Sequence, residues 1–505
     1  MEVQTLKGFR DYPPEEMLVR DAVLDRVKAV FESFGYAPLH TPALEYAELL
    51  LGKYGDEGEK LLYKFEDHGG RMVALRYDLT VPLARFIACN PNLVYPFRRY
   101  HIAPVWRAER PQKGRFREFY QCDVDLVGID SAQADAECLL VDHAVMKALG
   151  ISGHRILFNH RGFLDGLLAH LGVGREKVVP VLRVLDKVDK VSRDDMARDL
   201  VAEGLDTALA ATLCGLSDLS GTNTERLSAA LALAGDQPAA VAAVERLKEV
   251  VAIAEASSPG LPIQFAPSIA RGLDYYTGIV YETFLPARYG VGSVMSGGRY
   301  DTLLGTFSGR QTPAVGISLG IDRLLSALSG SGEAGTRRTV HVLVCCVEGS
   351  ALYAASVAGT LRAELSDAPA EIALSTVSPA ARVLLPSRLG VELYPKAAKL
   401  KKQMEYADRK GIPLVVLAGA EEEAAGVVTV KRLRRHTPGA TPPCSRWSRP
   451  PVPPRDAAPT SWLVSEEHVR DGTQQRVALA DLARHVLASL AQADPARPVP
   501  EQEAP

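Results

Sequence analysis

Residues 101–128 read HIAPVWRAERPQKGRFREFYQCDVDLVG. Two runs of β-type composition flank a basic loop that contains Gly114, and this pattern predicts two antiparallel strands joined as a hairpin. In the second run, the period-2 alternation of a strand puts Gln121, Asp123 and Asp125 on one face and apolar side chains on the other. This polar face either meets water at a half-exposed strand or forms the floor of a pocket.

A pocket floor of this kind suits a ligand with an ammonium group, because two carboxylates and an amide accept charge-assisted hydrogen bonds. In the first run, Arg107 and Glu109 are two residues apart, so we expect them to share a face of that strand. The basic loop after them is either a phosphate-binding element or a solvated hairpin tip. Neither GxxxxGK[ST] nor a strand-linked GxGxxG occurs in the sequence, so a nucleotide site here would need strand arginines.

Two segments further along the chain carry chemistry of the same kind. In RGLDYYTG, residues 271–278, a cation stands beside two phenols, which indicates either a small ligand site or a structural turn. The run AVGISLGIDRLLSAL, residues 314–328, predicts a strand that leads into a helix with Arg323 in its first turn. Helix N-termini favour anions, so Arg323 either binds phosphate there or is an ordinary exposed arginine.

With 505 residues, the chain is too long for one ordinary core, and we expect two main domains. The first is expected over 1–330, with a helical insertion at about 175–257. The second is an α/β domain expected over 338–492, after a Gly/Ser-rich linker. A Pro-rich insertion at about 434–469 is expected to interrupt it, and 493–505 to form a disordered tail.

Composition sets wide limits on function. Apolar residues make up 47% and charged residues 24%, which is typical of globular proteins, and the net charge of -3 neither demands nor excludes a nucleic-acid partner. The seven cysteines form no CxxC pair, which argues against structural zinc and a disulfide framework. No run of 18 apolar residues and no secretory signal pattern occur, so we expect a cytoplasmic protein that does not contact a membrane.

Several motifs resemble, in the same order, those of the class II aminoacyl-tRNA synthetases, and specifically the histidyl-tRNA synthetase family. They are KGFRDYPPEEM (7–17), LRYDLTVPLAR (75–85), the hairpin above, RGLDYYTG (271–278), SGGRYDTLLG (296–305) and AVGISLGIDRL (314–324). The resemblance implies an α+β fold with an antiparallel sheet flanked by helices, a helical insertion and a C-terminal domain similar to anticodon-binding domains. It also implies a homodimer, with Pro42 in its interface.

The implied reaction is the ATP-dependent activation of L-histidine, with Mg²⁺, and transfer of histidine to the 3′ end of tRNA(His). The implied catalytic groups are Arg107 and Arg271. The implied ATP contacts are Arg107, Glu109, Arg115, Phe119 and Arg323. The implied histidine contacts are Asp78, Thr80, Gln121, Asp125, Arg271, Tyr275 and Tyr276. The implied contacts to the tRNA acceptor end are Gln112, Lys113 and Arg117, and the metal ligands stay unknown.

Two other functions are compatible with such a sequence. The first is a catalytically silent paralogue that acts as a regulatory subunit of ATP phosphoribosyltransferase in histidine biosynthesis. Such subunits generally lack the C-terminal domain and parts of the histidine signature, whereas Arg107, Arg271 and Arg323 are all present here. The second is a structural or RNA-binding scaffold, since a fold alone does not establish activity. The intact set of arginines disfavours both.

Overall fold

The structure is a computed structural model that describes residues 3–52, 59–112, 114–185, 191–270, 276–330, 339–366, 389–433 and 474–491. The Pro-rich insertion and the tail lie outside these ranges, as do Lys113, Arg271 and Tyr275. The chain divides into two compact units, and the second begins at Gly335 and also takes in Pro14–Ala22. The domain boundaries given above stay predictions.

The strands of the first unit are β1 Ala37–Pro38, β2 Leu44–Tyr46, β3 Lys64–Glu66, β4 Met72–Leu75, β5 Phe97–Trp106, β6 Glu118–Val127, β7 Arg155–His160, β8 Ile263–Phe265, β9 Ile279–Phe284, β10 Met295–Arg299 and β11 Ala314–Gly320. The α-helices up to residue 330 are α1 Pro14–Ser33, α2 Ala47–Leu50, α3 Thr80–Cys89, α4 Ala132–Ala148, α5 Arg161–His170, α6 Arg175–Leu185, α7 Arg193–Ala202, α8 Thr207–Cys214, α9 Asn223–Ala234, α10 Pro238–Ser257, α11 Gly305–Ser308 and α12 Ile321–Gly330.

A large sheet organises the first unit, with strand order β1-β5-β6-β11-β10-β9-β7-β8 in the described residues. The β1–β5 and β7–β8 pairs at its two edges are parallel, and the strands between them run antiparallel. A separate sheet of order β2-β4-β3 lies in the same unit. The expected α+β class with an antiparallel sheet flanked by helices is confirmed.

The predicted hairpin is β5 and β6, paired antiparallel from Phe97–Val127 to Trp106–Glu118. One face of the sheet packs on α4, where the Tyr281 hydroxyl donates to the Asp135 carbonyl at 2.9 Å and Arg299 forms an ion pair with the Asp135 carboxylate at 2.6 Å. The opposite face carries the polar side chains of β6. Helix α4 thus covers the back of the sheet and leaves the polar face for the site.

Between β7 and β8 the described chain is helical, from α5 to α10, with no strand in the described part of 175–257. The helix starts are encoded locally, because Ser192, Asp206 and Thr222 each accept a backbone N–H as N-cap residues. At Thr222 the side chain of Glu225 completes a capping box. None of the helices in the described ranges is long and apolar enough to cross a membrane.

The second unit contains an α/β arrangement with strand order β13-β12-β14-β15-β16. These strands are β12 Val342–Cys346, β13 Val391–Leu393, β14 Leu414–Ala418, β15 Val427–Arg432 and β16 Gln474–Ala478. The helices are α13 Ala351–Ser366, α14 Leu400–Arg409, α15 Ala420–Ala425 and α16 Leu482–Ala491. The alternation of strand and helix predicted for this part of the sequence is confirmed, and β12 and β14 pack within its apolar core.

A buried carboxyl behind the sheet makes the first unit sensitive to pH. Asp142 on α4 accepts the Thr283 hydroxyl of β9, and burial raises the pKa of Asp142 to about 7. Between about pH 4 and 7 the unfolded chain releases this proton and the folded chain keeps it, so this group lowers stability as pH rises, by up to about 4 kcal/mol.

We therefore expect Asp142→Asn to raise the thermal unfolding midpoint relative to the parent more at pH 8 than at pH 5. Circular dichroism melts of both proteins at the two pH values test this expectation. Asp165, half-exposed and paired with Arg161 on α5, supplies the control substitution Asp165→Asn, which removes a carboxyl group from the same unit at a position that water reaches. An equal difference at both pH values for Asp142→Asn would contradict the raised pKa.

Candidate active site

The strand register aligns polar residues in a row across the face of the large sheet that lies opposite α4. Cα partners along this row are His101, Asp123, Ser318, Ser296 and Glu282. The prediction that Gln121, Asp123 and Asp125 share one face is confirmed by this register. Asp123 and Asp125 are each only 3% exposed, so the alternative of a strand face open to water is wrong. These carboxylates form a buried polar layer on this face, called the carboxylate floor below.

Asp125 is held from two sides by residues that the sequence did not single out. Arg99 of β5, which is fully buried, lies 2.7 Å from the Asp125 carboxylate, and the Tyr300 hydroxyl donates to its other oxygen. Burial raises the pKa of Asp125, and Arg99 opposes that rise. On β11, Gly316 leaves the room for this carboxylate, because a Cβ there would lie 2.1 Å from Asp125 Oδ1.

Gln121 and Asp123 complete the floor beside Asp125. The Gln121 side-chain amide donates to Ser318 Oγ at 2.8 Å. Burial raises the pKa of Asp123 to about 7, and the neighbouring carboxylates of Asp125 and Asp78 add to the rise whereas Arg99 lowers it. A cluster of carboxylates at this depth favours a cationic or hydrogen-bond-donating ligand, since such a ligand relieves their mutual repulsion.

Tyr276, one of the implied histidine contacts, lies against the same face. It packs against the apolar cluster that contains Leu83 and Tyr300, and a Cβ on Gly298 would lie 3.1 Å from its ring. Gly298 pairs with Gly316, which pairs with Asp125. The two glycines therefore let Tyr276 and Asp125 lie close against the backbone of the sheet.

Asp78 and Thr80 lie at the start of α3. Asp78 is buried, and its Oδ1 accepts the backbone N–H groups of Thr80 at 3.1 Å and Val81 at 3.0 Å. These bonds fix the carboxylate at the positive end of a helix. The carbonyl of the next residue, Leu79, accepts from the Arg99 guanidinium at 3.1 Å, so Asp78 lies beside the residues that hold Asp125.

Arg107 lies where β5 leaves the sheet. Its Nε donates to the Tyr77 carbonyl at 3.1 Å, and its guanidinium lies 4.3 Å from the centre of the Tyr77 ring and 5.1 Å from that of Phe119. Phe119 packs on Leu79 and lies on the same face of β6 as Gln121. The structure thus places Arg107 and Phe119 together at one end of the carboxylate floor.

The expectation that Arg107 and Glu109 extend a strand is wrong, because β5 ends at Trp106. The Arg107 amide still donates to the Arg117 carbonyl at 2.9 Å, but the Arg117 amide turns to the Gly8 carbonyl at 2.8 Å. The N-terminal segment thereby binds the Arg117 amide, which would otherwise have continued the β5–β6 pairing. Beyond this point the chain is a loop, with Glu109 paired to Arg115 at 3.7 Å.

The tip of this loop is a tight turn. Gln112 and Arg115 exchange backbone hydrogen bonds at 3.1 and 2.9 Å, and Gly114 adopts a φ of +73°, in the left-handed region. Gln112 and Arg115 are exposed. Arg117 is half-buried, and its guanidinium donates to the carbonyls of Glu109 and Lys7 at 3.1 and 3.2 Å.

Arg323 lies in the first turn of α12, as predicted. It is half-buried, and its guanidinium donates to the Ser293 carbonyl. Helix α12 follows directly on β11, the strand that pairs with β6. Arg323 therefore lies three residues after Gly320, the last residue of β11, which is the Cα partner of Gln121.

Arg99 and Tyr300 are the partners of Asp125 that sequence reasoning missed. Arg99 had a readable signal, because antiparallel pairing of the hairpin puts it opposite Asp125. Tyr300 had no local signal: it lies 175 positions from Asp125 and meets it only through the fold.

Comparison with known proteins places these features in a family. A family model described as histidyl-tRNA synthetase matches residues 8–324, and one described as anticodon binding domain matches residues 341–438. A histidine–tRNA ligase of Rhodopirellula baltica is 42% identical over 439 residues, which cover 86% of this chain and 94% of that protein. A second such ligase, from Wolinella succinogenes, is 42% identical over 442 residues, with 85% and 94% covered.

The fold agrees with these sequence matches. The crystal structure of histidyl-tRNA synthetase from Nostoc sp. PCC 7120 aligns with a TM-score of 0.76 at 28% identity, and the alignment covers 96% of this chain and 99% of that one. The first family model spans β1 to β11 and the start of α12, and so includes the carboxylate floor, Arg107 and Arg323. The chain belongs to the histidyl-tRNA synthetase family.

Proposed function

We propose that this chain is a histidine–tRNA ligase of the class II type, which activates L-histidine with ATP and transfers it to the 3′ end of tRNA(His). The observation that carries the proposal is the adjacency, on one sheet face, of a buried carboxylate floor and an arginine stacked on aromatic rings. The carboxylates suit the hydrogen-bond donors of histidine, and the stacked arginine suits the phosphates of a nucleotide. The curated relatives that bear this name are covered over 94% of their length. We propose a cytoplasmic location.

In this proposal histidine lies on the carboxylate floor. Asp78, Thr80 and Gln121 hold its ammonium and carboxylate groups, and Asp125 and Tyr276 contact its imidazole. Tyr275 and Arg271, outside the described residues, are proposed to contact the same substrate. Arg99 and Tyr300 fix Asp125, so the imidazole meets a carboxylate that cannot swing away. Amino acids that lack a donor there would leave this carboxylate unpaired, which disfavours them.

ATP lies at the arginine end of the floor. We propose that Phe119 stacks on the adenine, Glu109 accepts from its amino group, Arg323 holds the other side of the nucleotide and Arg115 contacts the phosphates. The histidine carboxylate attacks the α-phosphate and pyrophosphate leaves, forming histidyl-adenylate. Negative charge builds up on the α-phosphate in the transition state, and Arg107 stabilises it together with Arg271. Tyr77 and Phe119 hold the Arg107 guanidinium in place before the reaction.

Magnesium is proposed to enter with ATP. Mg²⁺ usually keeps several waters and binds through one or two carboxylates plus substrate phosphates. Across the described ranges, no group of three or more His, Cys, Asp or Glu side chains could hold a metal ion. In that arrangement the ATP phosphates and water supply most of the ligands, and the chain needs to offer only one or two carboxylates.

The hairpin loop is proposed to meet the acceptor end of the tRNA. Gln112 is exposed at its tip, and Lys113 is the neighbouring cation. Arg117 contributes by holding the loop against the N-terminal segment, since its donors already bind backbone carbonyls. The second unit is proposed to bind the anticodon, and the match of residues 341–438 to an anticodon binding domain supports this.

The regulatory-subunit alternative is disfavoured. Its members generally lack the C-terminal domain, whereas this chain matches an anticodon binding domain and its curated relatives bear the ligase name. Pyrophosphate exchange into ATP with each of the twenty amino acids, without tRNA, tests the choice. We expect exchange with histidine alone, followed by charging of tRNA(His) when tRNA is added. No exchange by folded protein with magnesium present would contradict the proposed function and favour the regulatory subunit.

We propose a homodimer, because the small sheet exposes apolar side chains on one face. Leu44, Tyr46 and Phe65 are 45%, 50% and 47% exposed, and register puts Tyr46 and Phe65 either side of Val73. Pro42 lies just before β2 and is also exposed. Contiguous apolar surface of this kind marks an interaction site.

The double substitution Tyr46→Glu with Phe65→Glu is expected to reduce the mass in solution from two chains to one, because it puts four negative charges into a twofold interface. Light scattering after size-exclusion chromatography measures this mass. Leu352→Glu is the control, since Leu352 is 88% exposed in the second unit. A variant that keeps the mass of two chains would show that this face is not the interface.

A further inference from the structure

Residues Leu6–Tyr12, here called the N-terminal strap, pass along the hairpin loop. Gly8 adopts a φ of +88°, and its carbonyl accepts the Arg117 amide at 2.8 Å. A Cβ on Gly8 would lie 2.8 Å from side-chain carbons of both Arg117 and Pro111. The Lys7 carbonyl also accepts from the Arg117 guanidinium at 3.2 Å. The strap therefore lies directly against the loop.

The other end of the strap binds the first turn of α12. The Tyr12 hydroxyl donates to Asp322 Oδ1 at 2.6 Å, and Arg10 lies 3.7 Å from the same oxygen. The Arg10 guanidinium lies 4.1 Å from the centre of the Tyr12 ring and 4.4 Å from that of Phe116, in the hairpin loop. Asp322 is 2% exposed, so these bonds are shielded from water.

The second oxygen of Asp322 reaches the strand that carries the floor. Asp322 Oδ2 accepts the backbone amide of Tyr120 at 2.8 Å. The β6–β11 ladder ends at the pair Gln121–Gly320, so this carboxylate binds the next amide of β6 in place of a strand partner. One side chain thus joins the strap, the residue next to Phe119 and the helix turn that carries Arg323.

We infer that Asp322 is a positioning residue for the nucleotide, and that Tyr12 sets its orientation. The inference rests on the proposed function. Arg323 and Phe119 are proposed to lie on opposite sides of the nucleotide. Asp322 is the residue before Arg323, and it binds the backbone amide of Tyr120, the residue after Phe119. Rotation of this carboxylate changes the gap between the two. The histidine floor is held independently, by strand pairing and by Arg99 and Tyr300.

Tyr12→Phe tests this inference in the full-length enzyme, because it removes one hydroxyl and keeps the ring against Arg10. We expect the KM for ATP in histidine-dependent exchange to rise about 10- to 100-fold, the size of effect expected for a lost hydrogen bond to a charged group. We expect the KM for histidine and the thermal midpoint to stay close to those of the parent. A merely structural role would lower the thermal midpoint and leave the ratio of the two KM values unchanged.

Tyr36→Phe is the matched control. The Tyr36 hydroxyl donates to the Glu137 carboxylate at 2.7 Å, in the same unit but on α4, behind the sheet. This variant loses the same kind of bond and should keep the parent's KM for ATP. An equal rise in both variants would mean that general loosening of the unit, not positioning by Asp322, raises the KM.

A double-mutant cycle with Asp322→Ala tests the route of the effect. If Tyr12 acts through Asp322, Tyr12→Phe should change ATP affinity much less in the Asp322→Ala background than in the parent. Equal factors in both backgrounds would overturn the inference, as would an unchanged KM for ATP in Tyr12→Phe. Asp322→Asn, which keeps an acceptor, replaces the alanine variant if that one does not fold.

Calorimetric titration with Mg·ATP separates this inference from the proposed function. A parent that binds Mg·ATP without exchanging pyrophosphate would contradict the proposed function, and weaker binding by Tyr12→Phe would then still support the positioning role. An active parent whose Tyr12→Phe variant binds Mg·ATP equally well would overturn the inference and leave the function intact.

Discussion

Replacement of Arg107 by alanine is expected to lower kcat/KM for histidine-dependent pyrophosphate exchange about 10²- to 10³-fold, the loss typical of removing one preorganised donor from a developing charge. The guanidinium is fixed in advance by the Tyr77 carbonyl and by the rings of Tyr77 and Phe119. It therefore needs no reorganisation when the α-phosphate gains charge. Histidine affinity, measured by calorimetry without ATP, should change little, because the carboxylate floor does not include this residue.

The control for this experiment is Arg98→Ala. Arg98 lies on β5, which ends just before Arg107, but on the back face of the sheet, 5.6 Å from the centre of the Tyr36 ring and paired with Glu137. The Arg98→Ala variant thus loses an arginine of similar packing and leaves the site unchanged. Arg107→Lys should fall between the parent and alanine, since lysine keeps the charge without the planar fork. If Arg107→Ala and Arg98→Ala slow exchange equally, Arg107 does not stabilise the transition state.

The second large effect is expected for Asp125→Asn. The substitution keeps the shape of the side chain but leaves the buried Arg99 without its counter-charge, and breaking a buried pair typically costs about 3–5 kcal/mol of stability. It also removes the charge proposed to meet the imidazole. We expect a markedly lower thermal midpoint together with a loss of histidine-dependent exchange of about 10²-fold or more.

The double variant Arg99→Met with Asp125→Asn separates these two roles. Removing both charges of a buried pair is often close to neutral, so the thermal midpoint should recover much of the loss. Exchange should not recover, because the substrate still lacks its carboxylate. If the double variant regained both stability and exchange, Asp125 would serve only the fold, and the proposed histidine contact would be wrong.

Much of the site was readable from the sequence, because strand alternation and helix starts are local properties. Period-2 alternation placed Gln121, Asp123 and Asp125 on one face, and the register confirms this. The strand-to-helix pattern placed Arg323 in a first helical turn, which is also confirmed. The order of the motifs indicated the family, because each motif is recognisable without knowledge of the others' positions in space.

The tertiary structure decided burial, partners and the limits of the strands. The carboxylates of β6 are buried because residues far away in sequence contact them, as Tyr300 contacts Asp125, and because β11 pairs beside β6 in the sheet. Strand β5 ends at Trp106 because the Arg117 amide binds Gly8, more than a hundred positions away. Asp322 acquires its role through Tyr12 and Tyr120. Local sequence sets which way a side chain points along a strand or helix, whereas only long-range packing sets what it meets there.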